Sequence, residues 1–393
     1  MPGPLHGYRI IDVTQMVSGP MATMILADQG AGVVKVEPTV SGDATRALGS
    51  TKRGMTPTFA VINRSKRSVA INLKDPRGVE LLKSLVSDAD VFIQNFRPGA
   101  AERMGIGEAV MRRVKPDLIY VSISGFGESG PYAHKRVYDP VVQALSGLAA
   151  IQADVATGRP RMLRLIVPDK VTALTAAQAV TAALLARERT GKGNHVTLAM
   201  LDAVIAFMWP EGMARYTFAA GDGPAIRNSV RDLVFQTADG YITVGAVSDA
   251  EWTGLARAAG HPEWIDDARF KTAGGRARYV DQRLELTQEA LHSKSSAEWL
   301  ARFDAEDVPC APILSREDLF HDQQIAANEL IVESVHPHAG AMRQPRPAVR
   351  YDATPTRIER PAPMLGEHTD EVLGEIGISG EEIAQLRKAG VIG

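Results

Sequence analysis

The first two hundred residues alternate between two periods, and this alternation constrains the fold more than any other feature. Short apolar runs rich in Val, Ile and aromatic residues occur at 8–13 (YRIIDV), 33–37 (VVKVE), 68–73 (SVAINL), 90–96 (DVFIQNF), 117–126 (DLIYVSISGF), 165–167 (LIV) and 195–200 (HVTLAM). Runs of this length and composition read as buried strands. Between them lie stretches with helical punctuation. The segment from Ser18 carries Pro20 in its first turn and Gly30 near its end, and Asp75-Pro76 offers an N-cap followed by proline at the first helical position. Further helices are expected over 139–151, 170–190 and 201–209. Repeated strand–helix units imply a parallel sheet covered on both faces by right-handed crossovers.

The texture changes beyond about residue 220. Residues 232–246 read as a hairpin with an Ala-Asp-Gly turn, and 249–325 as mostly amphipathic helix. Residues 336–363 carry six prolines and are expected to be extended. Two short helices are expected at 364–390. The fold class is therefore α/β: a Rossmann-like parallel sheet in a large domain, plus a smaller α+β domain. We place the large domain at 1–205 and 330–393 and the small one at 222–325, with linkers at 206–221 and 326–350.

Composition narrows the partners. A net charge of −2 gives no bulk attraction to nucleic acid or an anionic membrane. Cys310 is the only cysteine, so no intrachain disulfide forms, which fits the cytoplasm. Neither a signal-peptide pattern nor an apolar run of roughly 20 residues is present.

In open α/β sheets, ligands bind beyond the carboxyl ends of the strands. That rule gathers the segments after residues 13, 37, 73, 96, 126 and 167 at one site. A nicotinamide or flavin dinucleotide is a poor candidate there. Glu37 stands where a ribose-binding acid often lies, but the preceding loop is TQMVSGP and lacks the glycines a pyrophosphate needs. Arg64, Lys66, Arg67 and Lys74 cluster around one strand, and Arg97 and Arg103 follow the next. Such a set is either a solvated edge or a phosphate site built from side-chain cations. The glycine-rich segment 124–136 reads as a mobile active-site loop, with Tyr138 and Asp139 opening the helix after it. His336 and His338 lack partners at metal-ligand spacing, and neither G-x-S-x-G nor H-E-x-x-H occurs. Asp169 stands alone after Pro168, where the 165–167 run meets a long Ala-, Leu- and Val-rich helix. It is either that helix's N-cap or a carboxylate nucleophile, and the two roles are compatible.

Together these stretches resemble the class III CoA-transferases, the formyl-CoA transferase and carnitine–CoA-transferase family. The match runs along nearly the whole chain, through PLHGYRIIDVTQMVSGPMATMILADQGAGVVKVE, NRSKRSVAINLKDPRG, ADVFIQNFRPGAAERMG, LIYVSISGFGESGP, ERTGKGNHVTLAMLDA and PMLGEHTDEVLGEIG. The resemblance implies that Asp169 is the nucleophile. It implies that Lys74, Asn95, Phe96, Arg97, Arg103, Arg136 and Gln15 line a coenzyme A site, with Tyr138 and Asp139 against the substrate; backbone N–H groups near the helix start and Gln15 are the candidate oxyanion donors. It implies acyl-CoA and a carboxylic acid as substrates, with no metal and no redox nucleotide, and an interlocked homodimer. The chain departs from formyl-CoA-type members at three places. Residues 221–235 lack their glycine run, Pro38 replaces a basic residue, and Val17 replaces an amide. The alternative within the superfamily is an α-methylacyl-CoA racemase, which would pass a proton between two bases. Racemases place a histidine just before an Asp, where this chain has Tyr138-Asp139, and a phenol of pKa near ~10 is a poor base for that role.

Overall fold

A computed structural model describes residues 2–154, 156–218 and 232–393. Its chain divides into two compact units, one formed by 1–154, 159–213 and 329–393, the other by 155–158 and 214–328.

The first unit is built on a parallel sheet. In chain order its elements are β1 (Arg9–Asp12), α1 (Ser18–Asp28), β2 (Gly32–Glu37), α2 (Pro57–Ile62), β3 (Lys66–Ala70), α3 (Pro76–Ser87), β4 (Val91–Gln94), α4 (Ala100–Arg103), α5 (Glu108–Val114), β5 (Ile119–Ser124), α6 (Asp139–Leu145), α7 (Leu148–Ile151), α8 (Val167–Thr190), β6 (Asn194–Ala199) and α9 (Met200–Gly212). The strand order is β3-β2-β1-β4-β5-β6. Ile11 sits in register with Val34 on one side and Phe92 on the other. The chain starts at β1, winds outward through β2 and β3, then returns to the other side of β1 with β4. The β1/β4 boundary is the topological switch point of a doubly wound sheet.

Strand alternation supplies both cores. Ile11, Val34, Val36, Val69, Phe92 and Tyr120 join one cluster with Leu82 and Leu85 of α3. Ile10, Val33, Val91, Ile93, Ile119 and Val121 join the other, against Leu26 of α1 and Ala173, Ala176, Ala177, Val180, Ala183 and Leu184 of α8. The α8 residues recur at helical spacing, and most are alanines, which lets α8 lie close to the sheet and to α1. Gly191 closes α8 in the left-handed region (φ 68).

The first unit ends with the hairpin β7 (Ile331–His336) and β8 (Gly340–Pro345), then the helices α10 (Thr369–Glu375) and α11 (Gly380–Lys388). The second unit contains a three-stranded antiparallel sheet of residues 235–236, 241–244 and 310–312. Its core centres on Trp252, Trp264, Phe270, Trp299 and Phe303. Two of its helices start with capping boxes, Ser248/Glu251 and Ser295/Glu298. Among the described residues no helix is long and apolar enough to cross a membrane.

Several expectations need correction. No strand forms at 165–167: Leu165 and Ile166 are exposed, and Val167 already begins α8. With β6 beside β5 at the sheet's edge, the apolar triplet has no strand to pair with, and Pro168 at the second helical position favours a helix start. The strand expected at 68–73 lies at 66–70, because the backbone beyond it pairs instead with the C-terminal tail, where Ile71 bridges Ile392. The 139–151 helix is broken at Gly147 (φ 87) into α6 and α7. The start of the proline-rich stretch belongs to the β7–β8 hairpin. Of the expected linkers, 206–212 lies in α9 and 331–345 in that hairpin. Within the 221–235 segment, residues 221–231 lie outside the described residues.

Candidate active site

A cavity of about 250 Å³ opens beyond the carboxyl ends of the strands, at the switch point. The turn after β1 contributes Met16 and Ser18, and the segment after β4 contributes Asn95, Phe96, Arg97 and Pro98. The end of β5 and its following loop add Ile123, Ser124, Gly125, Ala133, Lys135, Arg136, Val137 and Tyr138. Asp139 of α6, Asp169 of α8 and Met200 of α9 complete the wall.

Asp169 is the third residue of α8. The N-cap position belongs to Ile166, which makes no side-chain cap, so Asp169 is not the cap that its place in the sequence suggested. Its carboxyl is pushed up to about 6, first by burial and next by the nearby Asp139. Hydrogen bonds from the Ser18 backbone N–H and hydroxyl act the other way, favouring the charged form. Ser18 is itself the first residue of α1. The Asp169 carboxylate therefore stands where the starts of two helices meet, a place that stabilises negative charge. A carboxyl that titrates near 6 is roughly 90% ionised at pH 7 and more basic than an ordinary carboxylate. Those are the properties of an oxygen nucleophile.

The walls are held by dense hydrogen bonding. Met16 has a left-handed backbone (φ 69), which is strained for a residue with a side chain. Its N–H donates to Asp43 (3.1 Å). The Gln15 N–H donates to Asn95 Oδ1 (2.9 Å), and Asn95 Nδ2 donates back to the Gln15 carbonyl (2.7 Å). Lys35 Nζ donates to the Thr14 carbonyl (2.8 Å). On the opposite wall the Asp169 N–H donates to Asp139 Oδ2 (3.3 Å), so Asp139 satisfies one of the free amides at the start of α8.

Of the residues singled out in the sequence, the fold brings Asn95, Phe96, Arg97, Arg136, Tyr138, Asp139 and Asp169 around one cavity. Gln15 is not in its lining, and its backbone is clamped to Asn95. Lys74 is exposed between β3 and α3, away from the lining. Arg103 is exposed, its guanidinium close over Gly99. Gly99 lines an adjoining cavity of about 230 Å³ that shares Phe96, Arg97 and Pro98 with the first.

The basic strand is not a free phosphate site. Arg64 is buried and pairs with Asp28 (2.6 Å), Lys66 is fully buried on Asp12 (3.1 Å), and Arg67 pairs with Glu371 (2.9 Å) and Glu375. The carboxylates lie 36, 54 and about 300 residues away in sequence, so the cluster could not be read as internally paired. Sequence reasoning also missed Ser18, Met16, Lys135 and Met200. For Ser18 a signal existed, because a serine ahead of Gly-Pro marks a helix start, whose amides attract anions. For Met16 there was none, since its backbone conformation is set by contacts with Asp43 and its neighbours.

A cavity with a half-buried carboxyl and a cationic rim suits group transfer, and comparison with known proteins identifies the family. Succinyl-CoA:glutarate CoA-transferase of Mus musculus is 36% identical over 378 residues, spanning 95% of this chain and 86% of that protein. Formyl-CoA:oxalate CoA-transferase of Streptomyces coelicolor is 32% identical over 410 residues, spanning 99% of each. Among crystal structures, the hypothetical protein Rv3272 from Mycobacterium tuberculosis superposes with a TM-score of 0.83 at 30% identity, covering 94% of this chain and 99% of that one. A CAIB/BAIF family protein from Brucella suis gives 0.82 at 28%, covering 96% and 100%. The family described as CoA-transferase family III matches residues 5–369, and the chain belongs to it. The enzyme is a class III CoA-transferase, moving coenzyme A between an acyl-CoA and a carboxylic acid.

Proposed function

We propose that Asp169 carries the transfer through two covalent intermediates. Its carboxylate oxygen attacks the thioester carbonyl of the donor, and the C–S bond breaks to release coenzyme A thiolate. The product is an acyl–aspartyl anhydride. The thiolate attacks the aspartyl carbonyl, expels the donor acid as carboxylate, and leaves an aspartyl–CoA thioester. The acceptor carboxylate attacks that thioester and frees the thiolate again. Attack of the thiolate on the acceptor's carbonyl then gives the new acyl-CoA and regenerates Asp169. A thioester is exchanged for a thioester, so no ATP is consumed. The observation that carries this reading is a half-buried carboxyl, raised to about 6, facing a cavity at the start of α8.

Ser18 takes the oxyanion role for which Gln15 and backbone N–H groups near the helix start are the candidates in the sequence. Its N–H and hydroxyl already reach Asp169, and the N–H remains to stabilise charge that develops on the aspartyl oxygen. Phe96, Arg97 and Arg136 receive the coenzyme A arm, with Lys74 and Arg103 further out for its phosphates. Asn95 serves by holding the Gln15–Met16 turn. The acceptor we propose is a short dicarboxylate: the cavity is small, Lys135 and Arg136 line it, and the related transferases act on glutarate and oxalate. Anhydride intermediates hydrolyse readily, so the 124–136 loop is assigned to exclude water. The working unit is an interlocked homodimer.

The test is trapping. Wild-type enzyme incubated with succinyl-CoA and then hydroxylamine or borohydride should carry its modification at Asp169 on mass mapping. Asp169→Ala should give neither adduct nor turnover, and retained turnover in that variant would refute the mechanism. Exchange of an α-proton without transfer of coenzyme A would instead support the racemase reading.

A further inference from the structure

Gln143 lies one turn into α6, is 2% exposed, and is assigned no role by the sequence. Both ends of its amide are used. Nε2 donates to Asp139 Oδ1 (2.6 Å), with the carbonyls of Leu163 (3.4 Å) and Leu165 (3.5 Å) beside it. Oε1 accepts from the Leu163 N–H (2.9 Å). Three oxygens face the nitrogen and one N–H faces the oxygen, so the partners fix which way the amide points. The backbone it grips, 163–165, has no regular structure and leads directly into α8, whose N-cap lacks a side-chain bond. The carboxylate it grips accepts the Asp169 N–H.

We infer that Gln143 is a positioning residue for the transfer reaction: its amide ties Asp139 to the chain entering α8 and thereby fixes where the Asp169 carboxylate stands. The inference rests on the reading of Asp169 as nucleophile. Asp139 is one of the two causes that push the Asp169 carboxyl up, and Gln143 holds Asp139 in the place from which it does so. The other charged groups around the cavity are Arg97 after β4 and Lys135 and Arg136 on the loop after β5; Lys170 follows Asp169 on α8 itself. None of them is gripped by Gln143, so a change at Gln143 acts on Asp169 through Asp139 and the 163–165 segment.

Two variants separate positioning from mere packing. Gln143→Leu removes both contacts. It should lower kcat at least about tenfold and move the acid limb of the pH profile to lower pH, while the trapped adduct still maps to Asp169. Gln143→Glu can make both contacts only when protonated, accepting from Leu163 and donating to Asp139. Its activity relative to wild type should therefore fall steadily between about pH 5.5 and about pH 8. A Gln143→Leu enzyme with the wild-type acid limb would overturn the inference, and so would a Gln143→Glu ratio that is flat with pH. If Gln143→Leu shows no cooperative melt, the Gln143→Glu ratio decides alone. Absence of an adduct in wild type is a separate result, and removes the nucleophile assignment instead.

Discussion

Asp12 ends the central strand β1 and Asp169 lies at the start of α8, and their surroundings drive them in opposite directions. Asp12, at the end of β1, is wholly buried, yet its carboxyl is held down to about 2. Burial alone would raise it, but Lys66 and Lys35 face it, and Thr14 and Thr23 donate to it (2.5 and 2.6 Å). Asp169 has no such cation among the causes acting on it. It faces a second carboxylate, Asp139, with only Ser18 donating in compensation. One carboxylate is neutralised and fully bonded, so it is inert and structural. The other is left under-compensated beside a cavity, so its electron pair remains available. Desolvation acts to raise both, fully buried Asp12 and half-buried Asp169; the neighbours decide which is compensated, and the proposed mechanism uses the uncompensated one.

The contrast can be broken at either end. The largest expected effect is Asp169→Asn, which should cut kcat/KM by more than about a thousandfold in a CoA-transfer assay. The same change should stabilise the fold at pH 8 by roughly 1–3 kcal/mol in urea unfolding. The sign follows from the raised carboxyl: the folded state holds this proton more tightly than the unfolded chain, so its contribution is lost as pH rises through about 6. Asp12→Asn should do the reverse, costing about 3–5 kcal/mol, chiefly by leaving the fully buried Lys66 without its ion-pair partner, while Lys35 keeps Asp43 (2.8 Å).

Acid should separate the two groups. Near pH 5 activity should be down about tenfold through protonation of Asp169, with circular dichroism still native as far as the Asp12 network is concerned. That network's stabilisation is complete above the ordinary carboxyl value and is lost only as pH falls towards about 2. Removing the second carboxylate with Asp139→Asn should move the acid limb of kcat/KM down by about half a pH unit or more. The smallest effect expected is for Ser18→Ala. It deletes one donor to the charged form and should move the same limb upward by a few tenths of a pH unit. If the last two shifts share a sign, the account of Asp169 fails.

Much of the scaffold was legible. β1, β2, β4 and β5 lie where the apolar runs are, because each is largely buried and needs no alternation to mark it; β6, at the sheet's edge, is marked instead by alternation, with Val196 and Leu198 packed on the core and Thr197 exposed. Asp75 caps α3 through the Arg77 N–H, as its place ahead of Pro76 indicated. The Ala-Asp-Gly turn joins the paired strands around residues 235–242. The failures share a cause. The 165–167 run had strand composition but no partner strand, and pairing is a property of neighbours rather than of three residues. The basic residues at 64, 66 and 67 looked available because their acids are remote in sequence.

The chain's own order of residue types determined the doubly wound sheet, the edge at which a ligand would bind, and the single aspartate worth watching there. Those follow from period, length and helix-start chemistry, all of which are local. Only the folded molecule decided that Ser18 rather than Gln15 faces Asp169, that Asp139 raises it, that Gln143 holds Asp139, and that Lys66 serves Asp12 instead of a phosphate. Each depends on distances between residues far apart along the chain, and charge interactions are set by distance and burial, which sequence spacing does not encode.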